Sequence, residues 1–518
     1  MTDKIMIGQR LVTGFSGTAI TPELVQVVEQ DKIGNIILFR ENITDSDQLR
    51  TLCRDLRNLI YEQTGYEPFI MIDQEGGAVT RLPENCINVP GAMALAATGN
   101  PENTYIAGKL TGEELRSLGV NFDLAPSVDV NCNPANPIIG VRSYGDEPRT
   151  VETYSAGMIH GLMDGGVLCL AKHFPGHGDT SLDSHLTLPC VNKSMDELEA
   201  MELAPFRAAI ADGVPAIMTA HILFPALDDS GVPATMSRRI VTDFLRGEMG
   251  FQGLVTSDCM EMKAVQKYYG SINGTLAAMN AGVDLVLISH TTLLSGEAAK
   301  VAADALNDGR LNRAEMEASV QRILQAKKRL ASIPAAAFDP QLARSANDAL
   351  LRQTITEVHI PKNGRPDVSK RTLCLGCQVY RTGLVGNVVD DVLQTFPAML
   401  AEHLGAQALT TSIDPTADEI EACVKRSHEY DCFIVGTYNG HLHLQQLALV
   451  RALAATGVSV TVVALRNPYD LFGLPESVYT IAAYEYTARS AAAVADVLLG
   501  RTKATGRLPI AIPEQEAQ

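Results

Sequence analysis

Residues 166–185, GVLCLAKHFPGHGDTSLDSH, join a short apolar run to a loop that is crowded with titratable side chains. The run GVLCLA has the length and composition of a buried β-strand. Proline and glycine residues then predict a loop from Lys172 onward, because both interrupt regular structure. Asp183 and His185 lie two residues apart, so in an extended chain the carboxylate can orient the imidazole. The segment therefore predicts a strand that carries proton-transfer groups at its carboxyl end.

Similar apolar runs recur through the first 290 residues. They are RLVTGF (10–15), NIILF (35–39), FIMID (69–73), VNFDLAP (120–126), GVLCLA (166–171), AIMTAHI (216–222), GLVTSD (253–258) and DLVLIS (284–289). Segments with helical periodicity separate them, for example residues 46–63 and 103–119. Eight strands that alternate with helices predict a (β/α)₈ barrel of the TIM type, and a doubly wound open sheet is the alternative.

Polar side chains follow these runs at the positions where a barrel carries its chemistry, the carboxyl ends of the strands. Each also has a structural interpretation, since a loop Arg or Lys is usually solvated and an Asp at a strand end can cap a helix. Their number at one rim favours a functional site. The residues are Asp73, Arg81, Arg142, Lys172, His173, His221 and Asp258.

The composition is that of a globular protein, with 46% hydrophobic and 20% charged residues. A net charge of −18 disfavours nucleic acid and anionic membranes as partners, because both require clustered Lys and Arg. The sequence contains neither an apolar run of about 18 residues nor a signal peptide, so no membrane span is predicted and the cytoplasm is the expected location. We expect a small-molecule substrate; the oligomeric state is not predicted.

A second α/β pattern begins near Arg371. Its predicted strands are TLCLGC, CFIVGT, VSVTVVAL and YTIAAY. We therefore predict a catalytic barrel over residues 1–335, a linker with a helical segment over 336–370, and a smaller α/β sandwich domain over 371–518. This domain has no G-x-G-x-x-G motif and no P-loop, which argues against a nucleotide site.

Two short motifs have structural explanations. Cys374 and Cys377 form a C-x-x-C inside an apolar run with no second pair to complete a zinc site, so buried core thiols are predicted. His441 and His443 form an H-x-H without an evident third ligand, which favours a surface or loop position over a metal site. No metal is predicted.

Asp258 as a nucleophile, with His185 and Asp183 as an acid/base pair, would supply the two roles of a double displacement at an acetal carbon. A histidine begins near pKa 6.5, whereas a catalytic glutamate needs its pKa raised to act as an acid. A neutral histidine also repels an anion less than a carboxylate does, which leaves phosphate as an alternative acceptor to water. Because the chain contains no tryptophan, a short pocket dominated by hydrogen bonds is favoured.

At these residues the sequence resembles glycoside hydrolase family 3, and specifically its β-N-acetylglucosaminidase branch. The loop K-H-F-P-G-H-G-x₄-D-S-H points to that branch, because the β-glucosidase branch takes its acid/base glutamate from the second domain. The other similar blocks are GNIILFRENI, IDQEGGAVTRL, LAPSVDVNCNPANPIIGVRSYGDEP, PAIMTAHILFPALD, PATMSRRIVTDFLRGEMGFQGLVTSD and AGVDLVLIS.

The resemblance implies retaining hydrolysis through a glycosyl ester on Asp258, with His185 as proton donor and Asp183 as its partner. It implies no metal or cofactor. The implied substrate carries terminal GlcNAc, as in cell-wall muropeptides during peptidoglycan recycling or in chitooligosaccharides. The implied substrate-binding residues are Asp73, Arg81, Arg142, Lys172 and His173.

Two residues depart from the common family pattern, Ala78 within DQEGGAV and Cys259 after Asp258. Because of these two departures, the resemblance does not determine the aglycone preference or the polarity of the pocket. Two other functions remain as alternatives, a β-N-acetylglucosaminide phosphorylase that uses the same intermediate and a non-catalytic sugar-binding barrel. The second is disfavoured because Asp258 and His185 are both present.

Overall fold

The computed structural model describes residues 1–180, 188–333, 338–379 and 394–512. In its amino-terminal part, parallel strands alternate with helices. The strands are β1 (Leu11–Thr13), β2 (Asn35–Leu38), β3 (Phe69–Ile72), β4 (Phe122–Asp123), β5 (Ala171–Phe174), β6 (Ala216–Thr219), β7 (Leu254–Cys259) and β8 (Leu285–Ile288). The helices are α1 (Asp3–Gln9), α2 (Pro22–Asp31), α3 (Ser46–Thr64), α4 (Ala92–Ala97), α5 (Glu102–Leu118), α6 (Pro148–Asp164), α7 (Met195–Ala200), α8 (Ala204–Ala211), α9 (Lys263–Tyr268), α10 (Ser271–Ala281), α11 (Thr292–Asn307) and α12 (Arg313–Ala331), with a π-helix at Arg239–Glu248.

These eight strands form a closed barrel. Hydrogen-bonded neighbours follow the order β4-β3-β2-β1-β8-β7-β6-β5. Backbone hydrogen bonds then join the two ends of that order, since Leu168 N–H donates to Asn121 O over 3.0 Å and Val128 N–H donates to Lys172 O over 2.8 Å. The predicted (β/α)₈ barrel is confirmed, and closure of the sheet excludes the doubly wound alternative.

Both faces of the barrel strands are buried. Phe69 and Met71 of β3 belong to the apolar cluster inside the barrel, whereas Ile70 and Ile72 pack in the cluster beneath the surrounding helices. A strand that is buried on both sides has no polar face, so it appears in the sequence as a continuous apolar run.

The fifth strand differs from the prediction. β5 includes Lys172 and His173, which the sequence assigned to the following loop. The predicted run over 166–170 lies just before β5 and pairs with the segment at β4, as Leu170 N–H donates to Ala125 O over 2.9 Å. Polar side chains are stable in this buried strand because they meet charged partners at the barrel rim.

The two helices that the periodicity indicated are confirmed as α3 and α5. Asp45 caps α3, where its carboxylate accepts hydrogen bonds from the N–H groups of Asp47 and Gln48 over 2.9 and 3.0 Å. α5 ends at Gly119, whose φ of +91° lies in the left-handed region that favours glycine.

The carboxyl-terminal part contains a six-stranded sheet in the order β11-β10-β12-β13-β14-β9, parallel except for β9. Its strands are β9 (Thr356–His359), β10 (Thr372–Cys377), β11 (Gln407–Thr411), β12 (Cys432–Thr437), β13 (Ser459–Ala464) and β14 (Val478–Ala482). Its helices are α13 (Pro340–Thr354), α14 (Phe396–Leu404), α15 (Ala417–Lys425), α16 (Leu444–Ala455) and α17 (Ala488–Leu498).

The sequence predicted four of these strands and missed the two at the edges, β9 and β11. Edge strands lie partly exposed, and their sequences TEVH and QALTT lack a continuous apolar run. β9 and α13 both fall within residues 336–370, the segment predicted as a linker with a helix. The domain limits at 335 and 371 stay a prediction.

The two parts share an apolar interface. Ala94 and Ala97 of α4 lie in one buried cluster with Leu373 and Val435 of the second sheet. Cys374 and Cys377 are free, buried thiols of β10, as predicted. Among the described residues, no helix combines the length and apolarity that a membrane crossing requires.

Lys327 of α12 is buried at the amino-terminal end of the barrel. Its Nζ donates to Gln9 Oε1 over 2.7 Å and to Gly34 O over 3.3 Å, and it lies 5.0 Å from the centroid of the Phe69 ring. Burial lowers the pKa of Lys327 from 10.5 to about 7. The folded protein therefore releases this proton at a much lower pH than the unfolded chain does.

This shift predicts how stability depends on pH. Between about pH 7 and about pH 10 the unfolded chain binds one more proton at Lys327, so the free energy of unfolding rises with pH by up to about 1.4 kcal/mol per unit. Lys327→Met is expected to remove this rise in urea denaturation curves measured across that range. The exposed neighbour offers a matched control, Lys328→Met, which should keep it. Equal slopes in both variants would contradict the assignment.

Candidate active site

The carboxyl ends of β3 and β5 bring Asp73 and Lys172 together. Lys172 Nζ lies 2.9 Å from Asp73 Oδ1 and 2.6 Å from Glu75 Oε1, and an Arg81 guanidinium nitrogen lies 3.7 Å from Asp73 Oδ2. The side chain of Lys172 is 2% exposed and that of Asp73 is 17% exposed. Asp73 is thus held by two cations and still presents carboxylate surface that can accept hydrogen bonds from hydroxyl groups.

Glu75 and Arg142 form a buried pair with two hydrogen bonds, of 2.8 Å from Nε and 2.7 Å from a terminal nitrogen. Burial alone would raise the pKa of Glu75, but Arg142 and Lys172 outweigh burial and hold this pKa below its ordinary value. The pKa of Lys172 is raised, because Asp73 and Glu75 together outweigh its own burial. The charges of this cluster are therefore fixed at neutral pH.

His173 is held by Asp129. Its Nδ1 lies 2.7 Å from Asp129 Oδ2 and its backbone N–H lies 3.2 Å from the same carboxylate, which also accepts from His177 N–H over 2.7 Å. Burial would raise the pKa of Asp129, but His173 and His177 lower it to about 2. Burial and the proximity of His173 lower the pKa of His177 to about 4, so His177 is neutral at neutral pH.

We call residues 172–185, which begin within β5, the histidine loop and residues 129–136 the loop platform. The platform residue Asn136 is buried, and its Nδ2 lies 2.8 Å from His177 O and 2.9 Å from Gly178 O. Gly178 packs directly on the platform, because a Cβ at this position would lie 1.6 Å from Val130 O. The described part of the histidine loop, which ends at Thr180, is therefore fixed to the platform.

Asp258 lies at the end of β7, where Cys259 N–H donates to its Oδ1 over 2.6 Å. His221, at the end of the neighbouring strand, contacts Cys259 O over 3.0 Å through Nε2. Burial lowers the pKa of His221, although Asp258 acts in the opposite direction. Among the described residues no cation pairs with Asp258, which distinguishes it from Asp73.

The predicted acid/base pair, Asp183 and His185, lies outside the described residues. A further carboxylate was not predicted, that of Asp123 in β4. Its Oδ1 accepts from Gln74 N–H over 2.9 Å, and its Oδ2 is buried without a hydrogen-bond partner in the described part of the chain. Burial raises the pKa of Asp123 well above its ordinary value, which disfavours the charged form that a nucleophile requires.

A second cluster lies beside the histidine loop. Ligand atoms of Cys132, Asp179 and Glu202 lie within 4.8 Å of one another, a spacing that a metal ion could use. Lys193 Nζ lies 3.0 Å from Asp179 Oδ2 and pairs with Glu202, so its ammonium supplies positive charge to both carboxylates. We interpret the group as an ion-pair cluster that ties Asp179 of the loop to the barrel.

The two histidines of the H-x-H motif pair with different aspartates. His441 Nδ1 pairs with buried Asp470 over 2.9 Å, and His443 Nδ1 pairs with Asp414 over 2.8 Å at the surface. Each ring thus has its own carboxylate, in agreement with the structural interpretation of the motif.

Sequence reasoning missed Glu75, Asp129, His177 and Asn136. Glu75, Asp129 and His177 closely follow predicted strands, so their position at the rim was a usable signal, whereas Asn136 lies ten residues beyond the run that ends at 126. Their partners were not predictable from spacing, since Glu75 and Arg142 lie 67 residues apart. Arg142 was predicted to bind substrate, and the structure adds that Glu75 occupies much of its donor capacity.

The Glu75 cluster predicts a large loss of stability when its central charge is removed. Glu75→Gln leaves Arg142 and Lys172 buried with one carboxylate fewer, which typically costs about 3–5 kcal/mol. We expect the midpoint of urea unfolding to fall accordingly. Glu84→Gln, at an exposed position of the same segment, is the matched control and should leave the midpoint unchanged. An equally small change of the urea midpoint in both variants would show that the Glu75 cluster contributes little to stability.

Comparison with known proteins identifies the family and supports the fold. Residues 5–326 match the family described as "Glycosyl hydrolase family 3 N terminal domain". The chain is 31% identical to beta-hexosaminidase A of Pseudoalteromonas piscicida, over 99% of this chain and 97% of that protein. It is 34% identical to a beta-hexosaminidase of Alkalilimnicola ehrlichii over 54% of this chain and 80% of that protein. A solved glycoside hydrolase family 3 beta-N-acetylglucosaminidase from Paenibacillus sp. str. FPU-7 superposes with a TM-score of 0.92 at 36% identity and covers 99% of both chains. This chain therefore belongs to glycosyl hydrolase family 3 and is a glycoside hydrolase.

Proposed function

We propose that this chain is a retaining exo-β-N-acetylglucosaminidase that removes non-reducing terminal GlcNAc from muropeptides or chitooligosaccharides. Asp258 is the nucleophile, and His185 with Asp183 is the acid/base pair. The substrate class is supported by two relatives, a beta-hexosaminidase and a beta-N-acetylglucosaminidase. The roles of Asp183 and His185 are supported by the sequence of the histidine loop.

The observation that carries this proposal is the contrast between Asp258 and three other rim carboxylates; Asp123, which also has no paired cation among the described residues, is disfavoured by its raised pKa. Asp73, Glu75 and Asp129 each pair with a cation or histidine. Asp258 is partly exposed at a strand end and has no such partner among the described residues. A carboxylate that is not held by an ion pair is free to approach an electrophilic carbon, as the first step requires.

The proposed reaction has two displacements. Asp258 attacks the anomeric carbon while His185 protonates the glycosidic oxygen, which leaves with the aglycone. The neutral imidazole then takes a proton from water as the water attacks the glycosyl ester and frees Asp258. The sugar contacts Asp73, Arg81, Lys172, Arg142 and His173. Asp73 with its two cations is the principal hydrogen-bonding group, and a terminal guanidinium nitrogen of Arg142 lies 3.4 Å from His173 Nε2.

The test is product analysis with the purified protein. We expect rapid release of p-nitrophenol from its β-GlcNAc glycoside and much slower release from the β-glucoside. Proton NMR should show β-GlcNAc as the first product, because two inversions retain the configuration.

Three outcomes would refute the proposal. These are faster cleavage of the β-glucoside, α-GlcNAc as the first product, and GlcNAc 1-phosphate as the main product in phosphate buffer. The last would identify a phosphorylase that resolves the same intermediate with phosphate.

A further inference from the structure

The second domain contacts the loop platform through two side chains. His441 Nε2 lies 3.2 Å from the carbonyl oxygen of Pro134. The hydroxyl group of Tyr469 accepts a hydrogen bond of 2.9 Å from Asn131 Nδ2. The two rings lie beside each other, with centroids 5.4 Å apart. The platform that holds the histidine loop is therefore also bound to the second domain.

His441 is held in a fixed orientation by Asp470. One oxygen of this carboxylate lies 2.9 Å from the His441 backbone nitrogen and 2.9 Å from Nδ1. Asp470 is fully buried, and its other oxygen has no hydrogen-bond partner among the described residues. Because Nδ1 is committed to this carboxylate, the ring can only direct Nε2 toward the barrel.

The contacts form a continuous path from the second domain to the catalytic loop. Asp470 holds His441, and His441 contacts Pro134. Two residues further on, Asn136 donates to the backbone of the histidine loop at His177 and Gly178. Each step is a hydrogen bond within 3.2 Å or a short stretch of chain, so a shift of the second domain moves the platform and the loop together.

We infer that His441 is a positioning residue for the acid/base loop and that the second domain completes the active site through it. This inference rests on the proposed function, in which His185 of the same loop donates the proton. A proton donor that is displaced by a fraction of an ångström loses efficiency while the nucleophile on β7 is unaffected. The loss should therefore depend on how much the leaving group needs protonation.

The experiment compares two substrates in the full-length protein. His441→Ala is expected to lower kcat/KM for diacetylchitobiose about tenfold, the effect of roughly one lost hydrogen bond. The same variant should lower kcat/KM for the p-nitrophenyl β-GlcNAc glycoside by about twofold or less, since nitrophenolate leaves without a proton. His441→Gln, whose amide can still donate to Pro134 O, should recover most of the loss.

His443→Ala is the matched control. It removes the other histidine of the motif, which pairs with Asp414 and makes no hydrogen bond to the barrel among the described residues. Both substrates should react at the wild-type rate. Tyr469→Phe provides a second variant, because it removes only the hydroxyl group that contacts Asn131.

Two results would overturn the inference. One is an equal loss of kcat/KM on both substrates in His441→Ala. The other is an unchanged kcat/KM in both His441→Ala and Tyr469→Phe. The proposed function is tested separately with His185→Ala. If that variant shows the substrate difference and His441→Ala does not, only the positioning role fails. If His185→Ala shows no difference, the acid/base assignment itself fails.

Discussion

Replacing Asp258 with alanine is expected to lower kcat/KM for p-nitrophenyl β-GlcNAc by about 10⁴-fold or more, the scale of losses seen when a covalent nucleophile is removed. The carboxylate lies at the end of β7 without a cationic partner in the described part of the chain. Its removal breaks no ion pair, so the fold should remain and the thermal unfolding temperature should change little. The measurement is the initial rate of nitrophenol release.

Exogenous azide sharpens this test. In Asp258→Ala the space of the carboxylate admits a small anion, which attacks the anomeric carbon once and gives the α-glycosyl azide. Asp243→Ala, at an exposed position of the π-helix, is the control and should retain full activity. Substantial hydrolysis by Asp258→Ala without azide would show that another group performs the displacement.

The barrel was predictable because its strands are buried on both faces and therefore stand out as apolar runs. Active-site groups of such barrels lie at the carboxyl ends of the strands, and this rule alone places Asp73, Lys172 and Asp258 at one rim. What the sequence could not predict is the pairing within that rim. Asp129 and His173 meet across 44 residues of chain, and only the closed barrel brings them to 2.7 Å.

Pairing between distant residues also explains why the fifth strand was predicted too early in the chain. Lys172 and His173 were assigned to a loop because Pro175, Gly176 and Gly178 follow them, and proline and glycine interrupt regular structure. They lie in β5 because Asp73, Glu75 and Asp129 neutralise them there. A strand boundary that depends on distant ion pairs is invisible to local pattern analysis.

Gly178 illustrates a second limit. In the sequence it marks a loop, as its residue type suggests. In the structure its lack of a side chain allows the histidine loop to lie against Val130 O, where a Cβ would approach within 1.6 Å. The glycine thus serves close packing of the loop on its platform, which the residue type alone does not show.

These contacts define how the histidine loop can act. Its first nine residues, 172–180, are tied to β3, to the platform and, through Lys193, to Glu202. An acid/base residue that follows such an anchored segment begins from a fixed point, and this lowers the cost of placing it over the substrate.

His185→Ala is therefore expected to separate substrates by leaving group. A positioned general acid contributes about 10²- to 10⁴-fold, and this contribution is needed in full only when the departing oxygen is a poor leaving group. We expect kcat/KM for diacetylchitobiose to fall about 10³-fold and kcat/KM for the p-nitrophenyl glycoside to fall less than about tenfold. The measurement is a pair of initial-rate series at one pH.

The second half-reaction gives an independent readout of the same variant. Without the imidazole, water attacks the glycosyl ester on Asp258 slowly, so the ester should accumulate and nitrophenol should appear in a burst. Azide should then raise kcat for His185→Ala and leave the wild-type protein unchanged, because an anion needs no general base. His160→Ala, at an exposed position of α6, is the control and should behave as wild type. Equal losses on both substrates, with no burst and no response to azide, would mean that the proton comes from another residue.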